Sequence, residues 1–430
     1  MKKYSILLSS IAAWLALVFL VPFQNLSAAN EGAESAVQLA TAQNSEPSQA
    51  IIKLKSESEI QAIAKKENLI IFPLSPSAEE NRLFLVKSLD QEPTSKIIRE
   101  LRENPAVERV QLNYRYKPLF AANDSYYSRQ WWLFDTGSVT GGISASLAWN
   151  LEAKKGQRNI AIAIIDTGAN LGHKDLKNNL TKGSAKGKNF EYPKRKPTDN
   201  DGHGTFLAGI IAAKTNNKRG IAGGSFWNHL RIMPLRFDFT TSQAVTAINY
   251  AKAKNVPVVN ASWGGYGAGE SDELLKETIA NYPGIFVTAS GNNGYDHDGG
   301  NPNEKMYPCD FELPNIICVG ASDRNGNLAD YSDYGLASID IVAPGGTDGD
   351  PLLGLSRSKS SYATAEGSSL SSAFVSAEAG LLISKYPNLS SAQVIEIIKN
   401  SVDAEPSLAG KVLTGGKANF QKALQMAAGY

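Results

Sequence analysis

Residues Ile160-Ala161-Ile162-Ala163-Ile164-Ile165-Asp166-Thr167-Gly168 decide the fold. Isoleucine fills four of the first six positions and alanine the other two. β-Branched side chains favour extended backbone, and an apolar residue at every position implies a strand buried on both faces. An acid then stands at the strand's carboxyl end, before a Thr-Gly turn. Arg231–Leu235, Val256–Asn260, Ile285–Thr288, Ile316–Val319 and Ile339–Val342 repeat the short, largely apolar pattern. Helical patterns and Gly-rich turns separate these runs. The spacing predicts an α/β domain in three layers, with a parallel sheet between helices.

Three further motifs follow the acid. Gly202-His203-Gly204-Thr205 leads into the apolar helical run Phe206–Ala213, and Gly367-Ser368-Ser369-Leu370-Ser371 leads into Ala373–Ser384. Between them, Val287-Thr288-Ala289-Ser290-Gly291-Asn292-Asn293-Gly294 reads as a strand and a turn. A lone Asp-Thr-Gly is ordinarily a turn, a lone His or Ser at a helix start a cap, and Asn-Asn-Gly a turn. Together they make one chemistry. A serine hydroxyl is a poor nucleophile at neutral pH and needs a base beside it. His203 can take its proton and return it to a leaving amine. Asp166 would hold the imidazole tautomer and stabilise the imidazolium. Ser369 at a helix start, with the side-chain amide of Asn292, suits a developing oxyanion.

Upstream the rhythm differs. Ala50–Lys55, Leu69–Leu74, Arg82–Lys87 and Val107–Tyr116 read as strands, and Glu57–Glu67 and Pro93–Glu103 as helices. The order βαββαβ is a small α+β, ferredoxin-like unit. Residues 30–49 are Ala/Ser/Glu/Gln-rich and read as a linker. Residues 1–29 start Met-Lys-Lys, run apolar from Ile6 to Phe23 and end in Ser27-Ala28-Ala29. Those are the marks of a secretory signal peptide. An uncleaved membrane anchor is the alternative, weakened by Pro22, Gln24 and Asn25.

Charge follows the same division. Residues 1–29 carry +2, residues 30–120 carry 12 basic and 13 acidic side chains, and residues 121–430 carry 29 of each. A net charge of +1 over 430 residues leaves no electrostatic footprint for nucleic acid. The chain holds two cysteines, too few for a disulfide-stapled or Cys-rich zinc scaffold. No His pair stands at zinc spacing on a helix, which argues against a metalloprotease.

Acid, His and Ser in that chain order resemble the subtilisin-like serine proteases, the subtilases, nearest their thermitase-like branch. The resemblance spans residues 50–425. It implies peptide-bond hydrolysis through an acyl-enzyme on Ser369, with Asp166, His203 and Asn292 as the other catalytic residues. Asn260-Ala261-Ser262-Trp263-Gly264-Gly265 matches the family's substrate-binding strand, so Ser262, Trp263 and Gly264 would line the bound peptide. Trp263 replaces a smaller apolar residue and narrows or reshapes the pocket. Met306 falls at the pocket floor by position. An apolar, medium-sized P1 residue is the expected preference.

The resemblance further implies structural calcium and no organic cofactor. Asp124, Asp175 and Asn217 match family calcium positions, and the carbonyls of Thr215, Arg219 and Ile221 would complete an oxygen shell. The α+β unit, residues 50–120, would be an inhibitory propeptide. Its tail near Lys117–Ala122 would fill the cleft and be cut by the enzyme's own serine. The peptidase domain would be residues 121–430, secreted and monomeric, with polypeptides as partners. Cys309 and Cys318, nine apart, favour a disulfide in a secreted chain, with two buried free thiols as the alternative.

One position departs from the family pattern: Ala373 stands where a proline usually follows the nucleophile. It is the single support for a non-catalytic binding protein on the same fold. A peptide ligase is a weaker third reading. Three histidines and one basic stretch outside the motifs have plain readings as well. His173 is structural, and His229 and His297 lie in polar loops as solvated side chains. The stretch Lys182–Lys196 holds six Lys/Arg and one Glu. It reads as a solvated loop beside the cleft, with steering of acidic substrates as the alternative.

Overall fold

The computed structural model describes residues 45–56, 60–74, 82–114, 121–134, 140–155, 157–267 and 272–430. The signal segment, most of the linker and the junction at 115–120 lie outside them. The chain divides into two compact units, 1–117 and 118–430. No helix among the described residues is long and apolar enough to cross a membrane.

The first unit holds β1 (Ser45–Leu54), α1 (Ile60–Lys66), β2 (Leu69–Pro73), β3 (Leu83–Ser88), α2 (Thr94–Glu103) and β4 (Val107–Tyr114). Its sheet has the order β2-β3-β1-β4, antiparallel throughout. Ile52, Leu54, Phe84 and Val86 meet Ile63, Ile97 and Leu101 of the two helices in one core.

The second unit is built on nine strands. In chain order they are β5 (Ile160–Asp166), β6 (Lys188–Asn189), β7 (Leu230–Arg236), β8 (Val258–Ala261), β10 (Ile285–Ala289), β12 (Ile316–Ser322), β13 (Ile341–Pro344), β16 (Asp403–Ala404) and β17 (Gly416–Lys417). Two short hairpin pairs lie outside the sheet: β9 (Gly265–Tyr266) with β11 (Met306–Tyr307), and β14 (Leu352–Leu355) with β15 (Tyr362–Ala365). The large sheet runs β16-β17-β13-β12-β10-β8-β5-β7-β6, parallel except for the edge pair β16–β17. The expected parallel α/β architecture is therefore present.

The period-2 pleat of β5 sorts the layers. Ile162 and Ile164 join one core with α3 (His203–Ala212) and α6 (Ser368–Lys385). Ala163 and Ile165 join the other, with α4 (Thr241–Ala253) and α5 (Glu273–Ala280). Asp166 shares the parity of Ile162 and Ile164, so its carboxylate emerges on the side of α3 and α6. From β5 the chain goes to β7 on one flank and later to β8 on the other. The carboxyl end of β5 is thus a topological switch point, where open α/β sheets leave a crevice.

Helix α6 is buried along 15 of its 18 residues. It runs unbroken through Ala373, so the missing proline does not interrupt it. Burial all round forces its polar residues inside. Glu378 is 1% exposed, and neither carboxyl oxygen has a hydrogen-bond partner among the described residues. Desolvation, with the charge of Asp403 adding to it, pushes its pKa up to about 8. The folded state therefore keeps a proton that the unfolded chain loses near pH 4.5. The stability this gives is complete below that value and is lost as pH rises through about 8. Glu378→Gln, in a Ser369→Ala background to prevent autolysis, should match the parent's Tm at pH 5 and exceed it at pH 9. Scanning calorimetry at the two pH values measures this.

Candidate active site

The crevice gathers residues from strand ends and helix starts. Asp166 closes β5 and is fully buried. Its two oxygens lie 2.9 and 3.0 Å from His203 Nδ1. His203 opens α3. Gly202, before it, has no side chain to cap the helix, and Asp199 does so instead. Its Oδ1 accepts from the Gly202 amide at 2.9 Å and its Oδ2 from the Thr205 amide at 2.9 Å. Desolvation lowers the His203 pKa. The Asp166 carboxylate outweighs it by charge and hydrogen bond, with Asp201 and Asp199 adding to it, so the net shift is upward.

Ser369 is the second residue of α6. Its Oγ donates to the Ser262 carbonyl at 3.4 Å. Its own carbonyl accepts from two hydroxyls, Ser262 Oγ at 3.0 Å and Ser372 Oγ at 2.9 Å. Ser262 Oγ also accepts from Asn260 Nδ2 at 2.8 Å, and Ser376 Oγ donates to Asn260 Oδ1 at 2.8 Å. A buried hydroxyl–amide network thus pins the Ser369 backbone from below. Gly367, before the helix, has φ 140°, a conformation that side-chain-bearing residues rarely adopt.

Asn292 follows β10. Its Oδ1 accepts from the Ser368 amide at 2.8 Å and from Ser368 Oγ at 2.9 Å. A backbone N–H can only donate, so the amide oxygen must face it. The Nδ2 donors are left for the crevice. His203, Asn292 and Ser369 face one cavity of about 650 Å³, walled on its far side by Leu355, Arg357 and the β15 residues Ala363–Ala365. The structure thus brings Asp166, His203, Ser369 and Asn292 to one crevice.

Tyr266, Asp333 and His297, none of them in the sequence motifs, hold Asn292 and its turn. The Asn292 amide donates to Tyr266 Oη at 3.0 Å, and Tyr266 Oη donates to Asp333 Oδ2 at 2.7 Å. Asp333 Oδ1 accepts from the Asn293 and Tyr295 amides at 2.8 and 3.0 Å. Gly291 has φ 120°, and a Cβ there would stand 2.0 Å from Asp333 Oδ2. His297 completes this set of contacts. It is fully buried, with Nε2 3.3 Å from Asp333 Oδ2 and Nδ1 2.8 Å from Asp310 Oδ2. Asp310 Oδ2 accepts from the Met306 amide at 2.7 Å. Desolvation opposes the charge on His297, but the two carboxylates win and push its pKa up to about 9. The imidazolium joins the Asn292 turn to the Met306 segment. The reading of His297 as a solvated loop residue is therefore corrected, because two acids remote in sequence enclose it. His229 is also buried rather than solvated, with Nε2 2.8 Å from the Ala153 carbonyl. His173 is buried against the Ser361 carbonyl, as its structural reading expects.

The pocket residues divide. Trp263 and Gly264 line a cavity of about 330 Å³ with Phe239, Leu275 and Tyr307. Trp263 Nε1 donates to the Ile165 carbonyl at 2.8 Å, which fixes the ring. Met306 is buried and packs on Gly264, and it is not among that cavity's lining residues. The two side chains expected to shape one pocket therefore do not share it. Cys309 and Cys318 form a disulfide that ties the Met306 segment to β12.

Three of the expected metal residues, Asp124, Asp175 and Asn217, also meet. Asp124 Oδ2 accepts from the Asn216 amide at 2.7 Å and Oδ1 from the Asn217 amide at 3.3 Å. Asn217 Nδ2 donates to Asp175 Oδ1 at 2.5 Å, and Asp175 Oδ2 accepts from the Ile221 amide at 3.1 Å. Burial, with the charge of Asp175 adding to it, pushes the Asp124 pKa up to about 6, and burial raises Asp175 too. Asn217 Oδ1 is buried without a partner among the described residues. Two desolvated acids and an orphaned amide oxygen fit a hard, oxygen-loving dication. The Thr215 carbonyl accepts from Asn228 Nδ2 at 3.2 Å, and Arg219 lies in the same loop between Asn217 and Ile221.

Residues 157–429 match the family model described as the subtilase family. The chain is 32% identical over 301 residues to a thermophilic serine proteinase of Bacillus sp. (strain AK1), covering 68% of this chain and 67% of that one. It is 30% identical over 286 residues to thermitase of Thermoactinomyces vulgaris, covering 66% and 94%. It spans 36% of the length of another relative, a cell wall-associated protease of Bacillus subtilis (strain 168). A protease from Pseudoalteromonas arctica shares its fold, with TM-score 0.61 and 23% identity over 72% of this chain and all of that one.

Proposed function

We propose that this chain, which belongs to the subtilase family and is a subtilisin-like serine endopeptidase, acts outside the cell through an acyl-enzyme on Ser369 and removes its own N-terminal unit. The observation that carries the mechanism is the Asp166–His203 pair opening on the cavity that Ser369 and Asn292 share. The Ser369 hydroxyl leaves the Ser262 carbonyl, passes its proton to His203 Nε2 and attacks the scissile carbonyl carbon. Asp166, bound at Nδ1, keeps Nε2 free as the base and stabilises the imidazolium. The new oxyanion takes a hydrogen bond from Asn292 Nδ2. His203 gives the proton to the leaving amine, and water then reverses the sequence to release the acid.

A fluorophosphonate probe tests this reading. It should label wild-type protein at Ser369 and leave Ser369→Ala unlabelled. Labelling at another serine, or none in the wild type, overturns it.

The N-terminal unit is proposed as a propeptide, cut near Ala121. The reading is supported by its separate core and by its position before the peptidase domain. Export is supported by the basic–apolar–small pattern of residues 1–29.

Calcium is proposed at Asp124, Asp175 and Asn217, with carbonyls of Thr215, Arg219 and Ile221. A bound ion would neutralise the two acids and tie residues 124 and 217 together. At free calcium about 100 times Kd it stabilises by about 2.7 kcal/mol, so chelation should lower Tm by about 4 °C for a unit of this size. Asp124→Asn should abolish that difference. Calorimetry with and without chelator measures both.

A further inference from the structure

Residues 177–197 form a concave surface rather than a convex loop. Residues 177, 180–182, 186–189 and 193–197 line a cavity of about 610 Å³ together with Leu171, Pro234 and Tyr250. Six of its cations come from the loop itself: Lys182, Lys186 and Lys188 on the outgoing arm, and Lys194, Arg195 and Lys196 on the return. Lys177 adds a seventh from a short helical turn. Among the described residues no acid lines the cavity, and none of the seven cations forms an ion pair. Glu191, the loop's acid, is spent on Arg236 at 2.7 Å. Lys188 sits over the Phe190 and Tyr250 rings at 5.1 and 5.2 Å, and Arg195 over Tyr192 at 5.0 Å. Seven like charges, all exposed, thus line one cavity, and an anionic ligand there relieves their mutual repulsion.

The cavity is wired to the catalytic groups. The Pro197 carbonyl accepts from the Ala169 amide at 3.0 Å, three residues after Asp166, and the Asp199 amide donates back to the Ala169 carbonyl at 3.1 Å. Asp199 in turn caps the helix that presents His203. Arg236, tied to Glu191, also donates to the Thr198 carbonyl at 2.6 Å. Lysine outnumbers arginine six to one here. Lysine binds as a mobile point charge, whereas planar bidentate recognition of phosphate favours arginine. The walls supply Pro193, Pro197, Pro234 and Leu180, apolar surface that a peptide can cover and a free ion cannot.

We propose that this cavity is an exosite that holds an acidic segment of the polypeptide substrate while another segment lies at Ser369. The inference rests on the protease reading above and gives it a substrate class: proteins with a run of Asp or Glu near the cleaved bond. The exosite acts on capture, so its effect falls on KM and on salt dependence.

The test uses protein produced from the full chain and peptides that share one cleavable core, with a glutamate run or a serine run on either flank. The glutamate peptide, on one flank, should show a kcat/KM about ten-fold above the serine peptide at low salt, carried by KM. The ratio should fall to near one at high salt and in K194A/R195A/K196A. Because it compares two substrates of the same enzyme, incomplete folding of the variant does not alter it. A ratio near one in wild type on both flanks, or an undiminished ratio in the triple variant, overturns the exosite and leaves the protease reading standing. If neither peptide is cut, the protease reading fails. Fluorescence anisotropy with the labelled glutamate peptide and full-chain Ser369→Ala then decides the cavity. Binding lost in the triple variant supports it, and equal binding overturns it. Inorganic polyphosphate that binds more tightly than the glutamate peptide assigns the cavity to phosphate polymers and also overturns the inference.

Discussion

Ser369→Ala should lower kcat for a peptide substrate by about a million-fold, with KM little changed. The prediction is specific because four serines crowd this turn: Ser368, Ser369, Ser371 and Ser372. Ser368, Ser371 and Ser372 are fully buried, and Ser369 is the one with partial access to solvent. Ser368 is further committed, its Oγ donating to Asn292 and accepting from the Gly291 amide at 3.1 Å. Ser372 Oγ donates to the Ser369 carbonyl. Of the four, Ser369 alone lines the cavity that His203 and Asn292 share. Ser368→Ala should therefore cost far less, the value of one positioning hydrogen bond, about 0.5–1.5 kcal/mol or up to roughly ten-fold in kcat. The same pair decides self-processing: Ser369→Ala should remain full length, and Ser368→Ala should shorten slowly. A dead Ser368→Ala with an active Ser369→Ala would reverse the assignment.

The parallel sheet was legible because the β-branched runs are local, and each strand carries its own evidence. The candidate catalytic positions stand out in the sequence for a related reason. Each stands at the end of a strand or the start of a helix, and glycines that relax the backbone flank it: Gly168 after Asp166, Gly202 before His203, Gly291 before Asn292. What the sequence hid is contact between distant segments. His297 lies in Tyr295-Asp296-His297-Asp298, which reads as an exposed polar turn. Its burial depends on Asp310 and Asp333, and no local spacing announces either. Tyr266 follows Gly264-Gly265 in a substrate-binding stretch, and only the turn at Asn292 reveals what its hydroxyl does. Glu378 sits where helical periodicity offers no free face, since α6 is buried all round. The cations of residues 182–196 were countable, but concavity is not a property of composition.

Asn292→Leu, which keeps the volume and removes the donor, should reduce kcat by about 100- to 1,000-fold with KM nearly unchanged. The oxyanion exists only in the transition state, so the loss must appear in kcat. Tyr266 gives a sharper prediction. Tyr266→Phe removes the acceptor of the Asn292 amide and the donor to Asp333. If Tyr266 acts by positioning Asn292, Tyr266→Phe should lower kcat several-fold in the wild type and hardly at all in Asn292→Leu. A merely structural role would lower Tm, or raise KM through the neighbouring β9–β11 pair, by the same factor in both backgrounds. The double-mutant cycle, with rates referred to titrated active sites, separates these cases. Asp333→Asn probes the next link. It should also show strong coupling to Asn292→Leu, but with a loss of stability, because it leaves the buried His297 imidazolium with Asp310 as its single remaining acid. A fall in Tm without coupling in kcat would confine the His297 clamp to holding the fold. Coupling in kcat would extend the oxyanion machinery from Asn292 through Tyr266 and Asp333 to His297.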